Sequence, residues 1–159
     1  HTDLVYWMAG LPSEQQKLEQ LAEELGVSAN IRFWGRVDQP TLLNIYNACD
    51  LFLMTSQQLT NGDFEGYGIA VNEAALCGKT SVVTDNSGLA EAVQGGLTGL
   101  LVPQGQFEQI ADAVTNLIES PELLSVLSGA AYKNAITHQT WDQVGASYLR
   151  YFEEILGED

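Results

Sequence analysis

Basic residues are scarce in this chain of 159 residues: six Lys and Arg stand against 21 Asp and Glu, leaving a net charge of −15. A protein that binds nucleic acid needs a basic face to displace counterions from the phosphates. The balance therefore argues against a nucleic-acid partner and against an anionic membrane surface. A phosphate ligand would have to be bound locally, by backbone amides at a helix N-terminus and a few well-placed cations.

Long apolar runs and cysteine-rich stretches are also missing. No segment approaches the roughly 20 apolar residues that span a bilayer, and the first residues show no signal-peptide pattern. Cys49 and Cys77 lie in apolar segments without metal-site spacing, which favours two buried free thiols and a reducing compartment. An apolar fraction of 45% is typical of a globular protein. We predict one domain over residues 1–159.

Short apolar runs alternate with longer amphipathic ones along the chain. Strands are predicted at 4–8, 31–34, 51–54, 81–83 and 99–102. Helices are predicted at about 12–25, after Pro40, and at 69–76, 107–118, 122–135 and 141–156. Continuous apolar strands between helices predict an α/β fold, a Rossmann-like doubly wound parallel sheet with about five strands visible. Ligands of such sheets bind beyond the carboxyl ends of the strands.

The segment from Phe64 to Gly78 carries the main candidate site. Gly66 and Gly68 form a glycine-rich turn before an apolar helix. Such a turn exposes backbone amides to a phosphate, and the helix dipole adds positive potential. Glu73 lies inside that helix, where burial is costly unless the carboxylate has a partner. Together with Glu65 it would provide two carboxylates along one crevice that accept sugar hydroxyls. The structural alternative is that Glu65 stabilises the helix start and Glu73 pairs with a basic or backbone group.

Aromatic and apolar side chains outside this segment are interpreted as packing residues. The three tryptophans are predicted to lie in the core or at a docking surface: Trp7, Trp34 and Trp141. A helical stripe is predicted to face the core: Phe107, Ile110, Ala113 and Leu117.

Glu65 and Glu73 are separated by seven residues within FEGYGIAVNEA. This segment resembles the E-x7-E motif of retaining glycosyltransferases with the GT-B fold, especially family 4. Similar stretches flank it, namely FWGRV at 33–37, CGKTSVV at 77–83 and TGLLVP at 98–103. The resemblance implies the C-terminal, donor-binding half of a two-domain enzyme. Such enzymes transfer a sugar from a nucleotide diphosphate sugar with retention of configuration, without a metal or other cofactor.

The resemblance also implies a role for each matching residue. Glu65 would be the catalytic residue that holds hydroxyls of the donor sugar, and Glu73 would take the ribose hydroxyls. Arg36 and Val37 would lie beside the nucleobase. The remaining donor-binding residues would be Gly66, Tyr67, Gly68 and Ile69 near the diphosphate or sugar, and Gly10 in an altered Gly-x-Gly-Pro turn.

Parts of the family's donor domain have no counterpart here. That domain opens with a strand, a Gly-Arg turn and a helical Lys, whose cations neutralise the departing diphosphate. Because this chain begins after them, we expect it to be weakly active or inactive alone. The missing strand would leave strands 4–8 and 51–54 beside a gap. Upstream sequence, a strand-donating partner chain or an oligomer would fill it.

The rest of the enzyme would complete the reaction. The resemblance implies that helix 141–156 docks on an absent N-terminal domain, which binds a lipid, saccharide or polysaccharide-precursor acceptor. The full protein is expected in the cytoplasm or at the cytoplasmic face of the membrane. The alternative to an enzyme is a non-catalytic nucleotide-binding or interaction module with the same fold.

Overall fold

Strands alternate with helices throughout the computed structural model, which describes residues 4–57, 68–85, 88–138 and 140–157. The strands are β1 (Tyr6–Ala9), β2 (Ile31–Gly35), β3 (Phe52–Met54), β4 (Ser81–Thr84) and β5 (Gly99–Val102). The helices are α1 (Gln15–Glu24), α2 (Gln39–Ala48), α3 (Ile69–Leu76), α4 (Leu89–Ala92), α5 (Phe107–Glu119), α6 (Pro121–His138) and α7 (Trp141–Leu156). All five predicted strands are confirmed, and α3 and α7 have the predicted bounds.

The chain divides into two compact units, and the first comprises residues 1–45. Its strands β1 and β2 run parallel. Side chains alternate across a strand, so Trp7, Arg32 and Trp34 share one face of this pair. The two indole rings meet edge to face at 5.6 Å, and the Arg32 guanidinium lies 3.9 Å from the centre of the Trp34 ring. These aromatic and cation–π contacts hold the two strands together on that face.

The second unit comprises residues 46–159 and contains a parallel sheet with β4 between β3 and β5. Every residue of β4 is buried. Val83 packs with side chains of α3 and α4. Val82 points to the opposite face and packs with Leu117 of α5 and Leu127 of α6. Helices therefore cover both faces of the sheet, which explains why even the polar end residues of its central strand, Ser81 and Thr84, are buried.

The five strands form two separate sheets, β1-β2 and β3-β4-β5. Within the described residues, β1 and β3 therefore each pair with one neighbouring strand. These are the two strands for which the family resemblance predicts a further partner strand, and that expectation stays a prediction. The α/β class with parallel strands is confirmed, while the prediction of one domain over the whole chain stays a prediction.

Two of the predicted core aromatics lie at the surface. Phe107 is 70% exposed, so its assignment to the core stripe of α5 is wrong. Leu117 of the same stripe is fully buried, as predicted. Trp141 at the start of α7 is 80% exposed, which contradicts a core position and leaves the docking alternative.

Both cysteines are free, as predicted, but they are half-buried rather than buried. Among the described helices, none combines the length and the apolar character that crossing a membrane requires.

Candidate functional site

Helix α3, which carries the second half of the motif, begins after a glycine in the left-handed conformation. Gly68 is buried and has a φ of 72°. A Cβ at this position would overlap the side chain of Leu89. Conformation and packing therefore both require glycine here. The first amides of α3 follow directly, and the first amides of a helix lack intrahelical acceptors. This geometry suits the predicted role of Gly68 and Ile69 in anion binding.

Replacing Gly68 with Ala is expected to lower the free energy of unfolding by about 2–4 kcal/mol, because left-handed strain and overpacking against Leu89 add up. Gly78→Ala is the matched control. Gly78 has a φ of 71°, but a Cβ there would meet no atom within 4 Å. This control should therefore lose only about 1 kcal/mol. Urea unfolding of both variants measures the difference, and equal losses would contradict the Leu89 constraint.

Glu73 is half-buried on α3 and accepts a hydrogen bond from a tyrosine of α2. The Tyr46 hydroxyl donates to Oε2 of Glu73 at 2.9 Å. Tyr46 is only 6% exposed, and its ring meets Phe52 of β3 edge to face at 5.7 Å. The partner that the sequence requires for Glu73 is therefore a phenol, and neither a basic side chain nor the backbone supplies this contact.

Burial raises the pKa of Tyr46 well above its ordinary value, and the hydrogen bond to Glu73 raises it further. The phenol therefore keeps its proton throughout the neutral and mildly alkaline range. Tyr46 is a permanent hydrogen-bond donor to the carboxylate, since loss of the proton would place two negative groups 2.9 Å apart.

The two thiols lie close to this pair along the chain. The Cys49 thiol donates to the Tyr46 carbonyl at 3.3 Å, and the Lys79 ammonium donates to the Asn47 carbonyl at 3.0 Å. Burial raises the pKa of both Cys49 and Cys77. Both therefore stay protonated near neutral pH, which makes them poor nucleophiles. They fit a packing role rather than a chemical one.

Three predicted site residues lie in the first unit, in the turns that follow its parallel strands. Gly10 comes directly after β1, and its amide donates to the carbonyl of Gly35 at 2.9 Å. Arg36 and Val37 follow β2, with Arg36 exposed and Val37 half-buried. A cleft of about 130 Å³ opens between the end of β1 and the start of α1, lined by residues 8–15, Leu18, Phe33 and Gly35. The site residues of this unit thus lie at the carboxyl end of its sheet, where the fold predicts a ligand.

The structure places Gly68 directly before α3 and Ile69 and Glu73 on that helix. Ile69 is 59% exposed, four residues before Glu73 on the same helix. Three predicted residues, Glu65, Gly66 and Tyr67, lie outside the described residues. Among those described, no three His, Cys, Asp or Glu side chains cluster as metal ligands would. The expected independence of metals stays a prediction.

Tyr46 is the residue that sequence reasoning missed. In the sequence it is one of the residues that mark the short helix after Pro40, and that pattern predicts no role at the site. The signal that pointed to it was indirect, since a carboxylate in the apolar helix α3 needs a hydrogen-bond donor.

Comparison with known proteins gives a consistent result. The family model described as "Glycosyl transferases group 1" matches residues 1–134. A D-inositol 3-phosphate glycosyltransferase of Corynebacterium jeikeium is 31% identical over 143 residues, which cover 90% of this chain and 32% of that protein. The chain thus spans about a third of the length of this curated relative.

Two solved structures extend the similarity to the fold. Anabaena Alr3699/HepE in complex with UDP is 26% identical with a TM-score of 0.74, covering 98% of this chain and 41% of that one. The C-terminal domain of a group 1 family glycosyl transferase, LpcC of Francisella tularensis, is 25% identical with a TM-score of 0.67. That match covers 79% of this chain and 61% of the other.

Proposed function

The chain belongs to the glycosyl transferases group 1 family, and from this premise we propose that it is the donor-binding half of a retaining sugar transferase. Its substrate would be a nucleotide diphosphate sugar. The observation that carries the proposal is the start of α3, where Gly68 opens a helix whose carboxylate, Glu73, is held by a buried hydroxyl. That arrangement offers amides to a diphosphate and a carboxylate to sugar hydroxyls on one element.

UDP is the nucleotide with the best support. The Anabaena relative was solved in complex with UDP and, separately, with UDP-glucose. With only six basic residues in the chain, backbone amides are well suited to the diphosphate. In this proposal Glu73 accepts the ribose hydroxyls, Arg36 and Val37 lie beside the base, and Gly10 belongs to the turn near it.

Glu65 has the role closest to the chemistry in this proposal, holding hydroxyls of the donor sugar. The acceptor hydroxyl forms a new bond to the anomeric carbon on the face from which the diphosphate departs. The carbon–oxygen bond to the diphosphate breaks, and a departing phosphate oxygen takes the acceptor's proton. Atoms and charge balance without a protein nucleophile or a metal.

Completion of the enzyme requires polypeptide beyond these 159 residues. Within the described part of α7 every side chain is exposed except that of Val144, which is half-buried. Large apolar side chains dominate this surface: Trp141, Tyr148, Leu149, Tyr151, Phe152, Ile155 and Leu156. So much exposed apolar area marks an interface. We assign it to the acceptor-binding half of the enzyme, because the chain spans about a third of its curated relative.

Further consequences belong to this proposal. The chain alone would be weakly active or inactive, because the diphosphate-neutralising cations of the family would come from upstream sequence. A strand supplied from outside the chain would pair with the sheet edges at β1 and β3. The acceptor would be a lipid, a saccharide or a polysaccharide precursor, and the enzyme would work in the cytoplasm or at the cytoplasmic face of the membrane.

Glu65→Ala tests the donor-sugar assignment. The variant should bind UDP like the wild type but lose about tenfold in affinity for UDP-glucose, because hydrogen bonds between hydroxyls and a carboxylate disappear. Calorimetric titration with both ligands measures this selectivity. Glu122→Ala removes an exposed carboxylate in the first turn of α6 and should change neither affinity. Equal losses for UDP and UDP-glucose, or no loss at all, would overturn the role of Glu65.

A further inference from the structure

The hydrogen bond between Tyr46 and Glu73 joins two residues of the second unit. Tyr46 lies on α2 and Glu73 on α3, 27 residues apart in sequence, and the oxygen atoms are 2.9 Å apart. Hydrogen bonds to a charged group contribute more to stability than hydrogen bonds between neutral groups. The contact is therefore strong enough to select one orientation of the carboxylate.

The phenol that makes this contact is itself immobilised. Tyr46 is 6% exposed, and its ring lies against Phe52 at 5.7 Å with an interplanar angle of 63°. An edge-to-face pair of this kind fixes the ring and hence the position of its hydroxyl. Because burial also raises the pKa of the phenol, its hydroxyl keeps its proton and stays a donor through the neutral and mildly alkaline range.

A carboxylate that binds a ribose must hold both of its oxygens toward two neighbouring hydroxyls. An ionised carboxylate has about four acceptor positions. One hydrogen bond from Tyr46 to Oε2 uses a single position and leaves acceptors on both oxygens for a ligand. Without that hydrogen bond, the half-buried Glu73 side chain would sample other rotations about its last torsion, which is a broad and weakly restricted one.

We propose that Tyr46 is a positioning residue for ribose recognition: its hydroxyl orients the Glu73 carboxylate so that both ribose hydroxyls of the donor nucleotide are bound together. The inference rests on the proposed function, in which Glu73 is the ribose acceptor. Tyr46 would then also determine specificity. The ratio between the affinity for a nucleotide with both ribose hydroxyls and the affinity for its dideoxy form would depend on this tyrosine.

The test compares ribose discrimination in four proteins: the wild type, Tyr46→Phe, Glu73→Ala and the double variant. UDP, GDP and ADP are titrated, each beside its 2′,3′-dideoxy form, and the affinity ratio between the two forms is the readout. Tyr46→Phe keeps the ring and its contact with Phe52 and removes only the hydroxyl. Loss of one oriented hydrogen bond should lower the ratio about fivefold while leaving the affinity for the dideoxy nucleotide unchanged. Tyr132→Phe on α6, where the tyrosine is 45% exposed, is the control and should keep the wild-type ratio.

The double variant separates positioning from stability. If Tyr46 acts through Glu73, then adding Tyr46→Phe to Glu73→Ala changes the ratio no further. If the wild type and Tyr46→Phe show the same preference for the ribose form over the dideoxy form, the role of Tyr46 is overturned. The role of Glu73 would not be affected by that result. If Tyr46→Phe loses affinity equally for the ribose and dideoxy forms, Tyr46 has only a structural role, and its role in ribose recognition is overturned. A wild type that binds both forms equally would overturn the ribose assignment and this inference with it, and so would binding of none of the three nucleotides by both the 159-residue chain and the same protein extended upstream.

Discussion

The Glu73→Ala variant is expected to bind the donor nucleotide about tenfold to one-hundredfold more weakly than the wild type, because hydrogen bonds from ribose hydroxyls to an ionised carboxylate are lost. The effect is large because Glu73 is half-buried and already oriented by the Tyr46 hydroxyl at 2.9 Å. Calorimetric titration of the folded variant with the nucleoside diphosphate measures it directly.

Two controls make that result specific. Glu108→Ala removes an exposed carboxylate from the first turn of α5 and should leave the affinity unchanged. In Glu73→Ala the Tyr46 hydroxyl loses its hydrogen-bond acceptor, which lowers stability. Urea unfolding measures that loss and shows whether the variant is folded under the conditions of the titration. A stably folded Glu73→Ala protein that binds nucleotide as tightly as the wild type would remove Glu73 from the site.

The Leu117→Ala variant is expected to lose about 2–5 kcal/mol of unfolding free energy, the range measured for large-to-small substitutions in a core. Leu117 of α5 is fully buried and belongs to the cluster that contains Val82, Val102 and Leu127. This cluster joins two strands of the sheet to α5 and α6. A cavity at its centre therefore weakens contacts with both layers.

Leu97→Ala is the matched control for this substitution. Leu97 is 55% exposed, so removing the same atoms there gives up little buried apolar surface. The free energy of unfolding should therefore fall by well under about 1 kcal/mol. Urea denaturation of both variants, analysed with one common dependence of unfolding free energy on urea concentration, gives the two losses for comparison. Similar losses for Leu97→Ala and Leu117→Ala would contradict the assignment of the core to the α5–α6 face of the sheet.

The strands and helices were predictable because local pattern determines them. The β-branched pair Val82 and Val83 between two helical segments predicts a strand at 81–83, and β4 is that strand. Helix α3 ends as the sequence indicates, with Gly78 directly after it in the left-handed conformation at a φ of 71°. That conformation is the usual end of a helix.

Pairing between strands was less accessible to sequence reasoning. The alternation of elements indicates five parallel strands, but which strands are neighbours depends on contacts far apart in sequence. The described strands form two sheets because β1 and β3 do not pair with each other. The further strand that the family resemblance predicts before β1 stays a prediction.

Surface positions of aromatic side chains were the other failure. Periodicity placed Phe107 in the core stripe of α5, yet it lies in the first turn of that helix and is 70% exposed. The stripe follows the helix, but at its first turn the neighbouring elements no longer cover it. Trp141 at the start of α7 is exposed for a comparable reason, since α7 has no buried residue among those described.

The part of the candidate site at α3 was chosen from the sequence, and its binding role stays a prediction. The glycine before α3 and the carboxylate inside it were both identified from residue type and spacing. The donor that holds this carboxylate was not identified, because Tyr46 lies 27 residues away on another helix. A helical pattern shows which residues share a face, but it does not show which face of a second helix they meet. The contact with Leu89 that restricts Gly68 was missed for the same reason.

The decisive measurement is a calorimetric titration of the 159-residue chain with UDP, GDP and ADP, repeated on the same protein extended upstream. Selective, saturable binding of one nucleotide, with UDP expected, would establish that the α3 site takes a donor nucleotide. Tighter binding by the extended protein would follow from the additional cations. A folded chain and a folded extended protein that both bind none of the three nucleotides would contradict donor binding and favour an interaction module with the same fold.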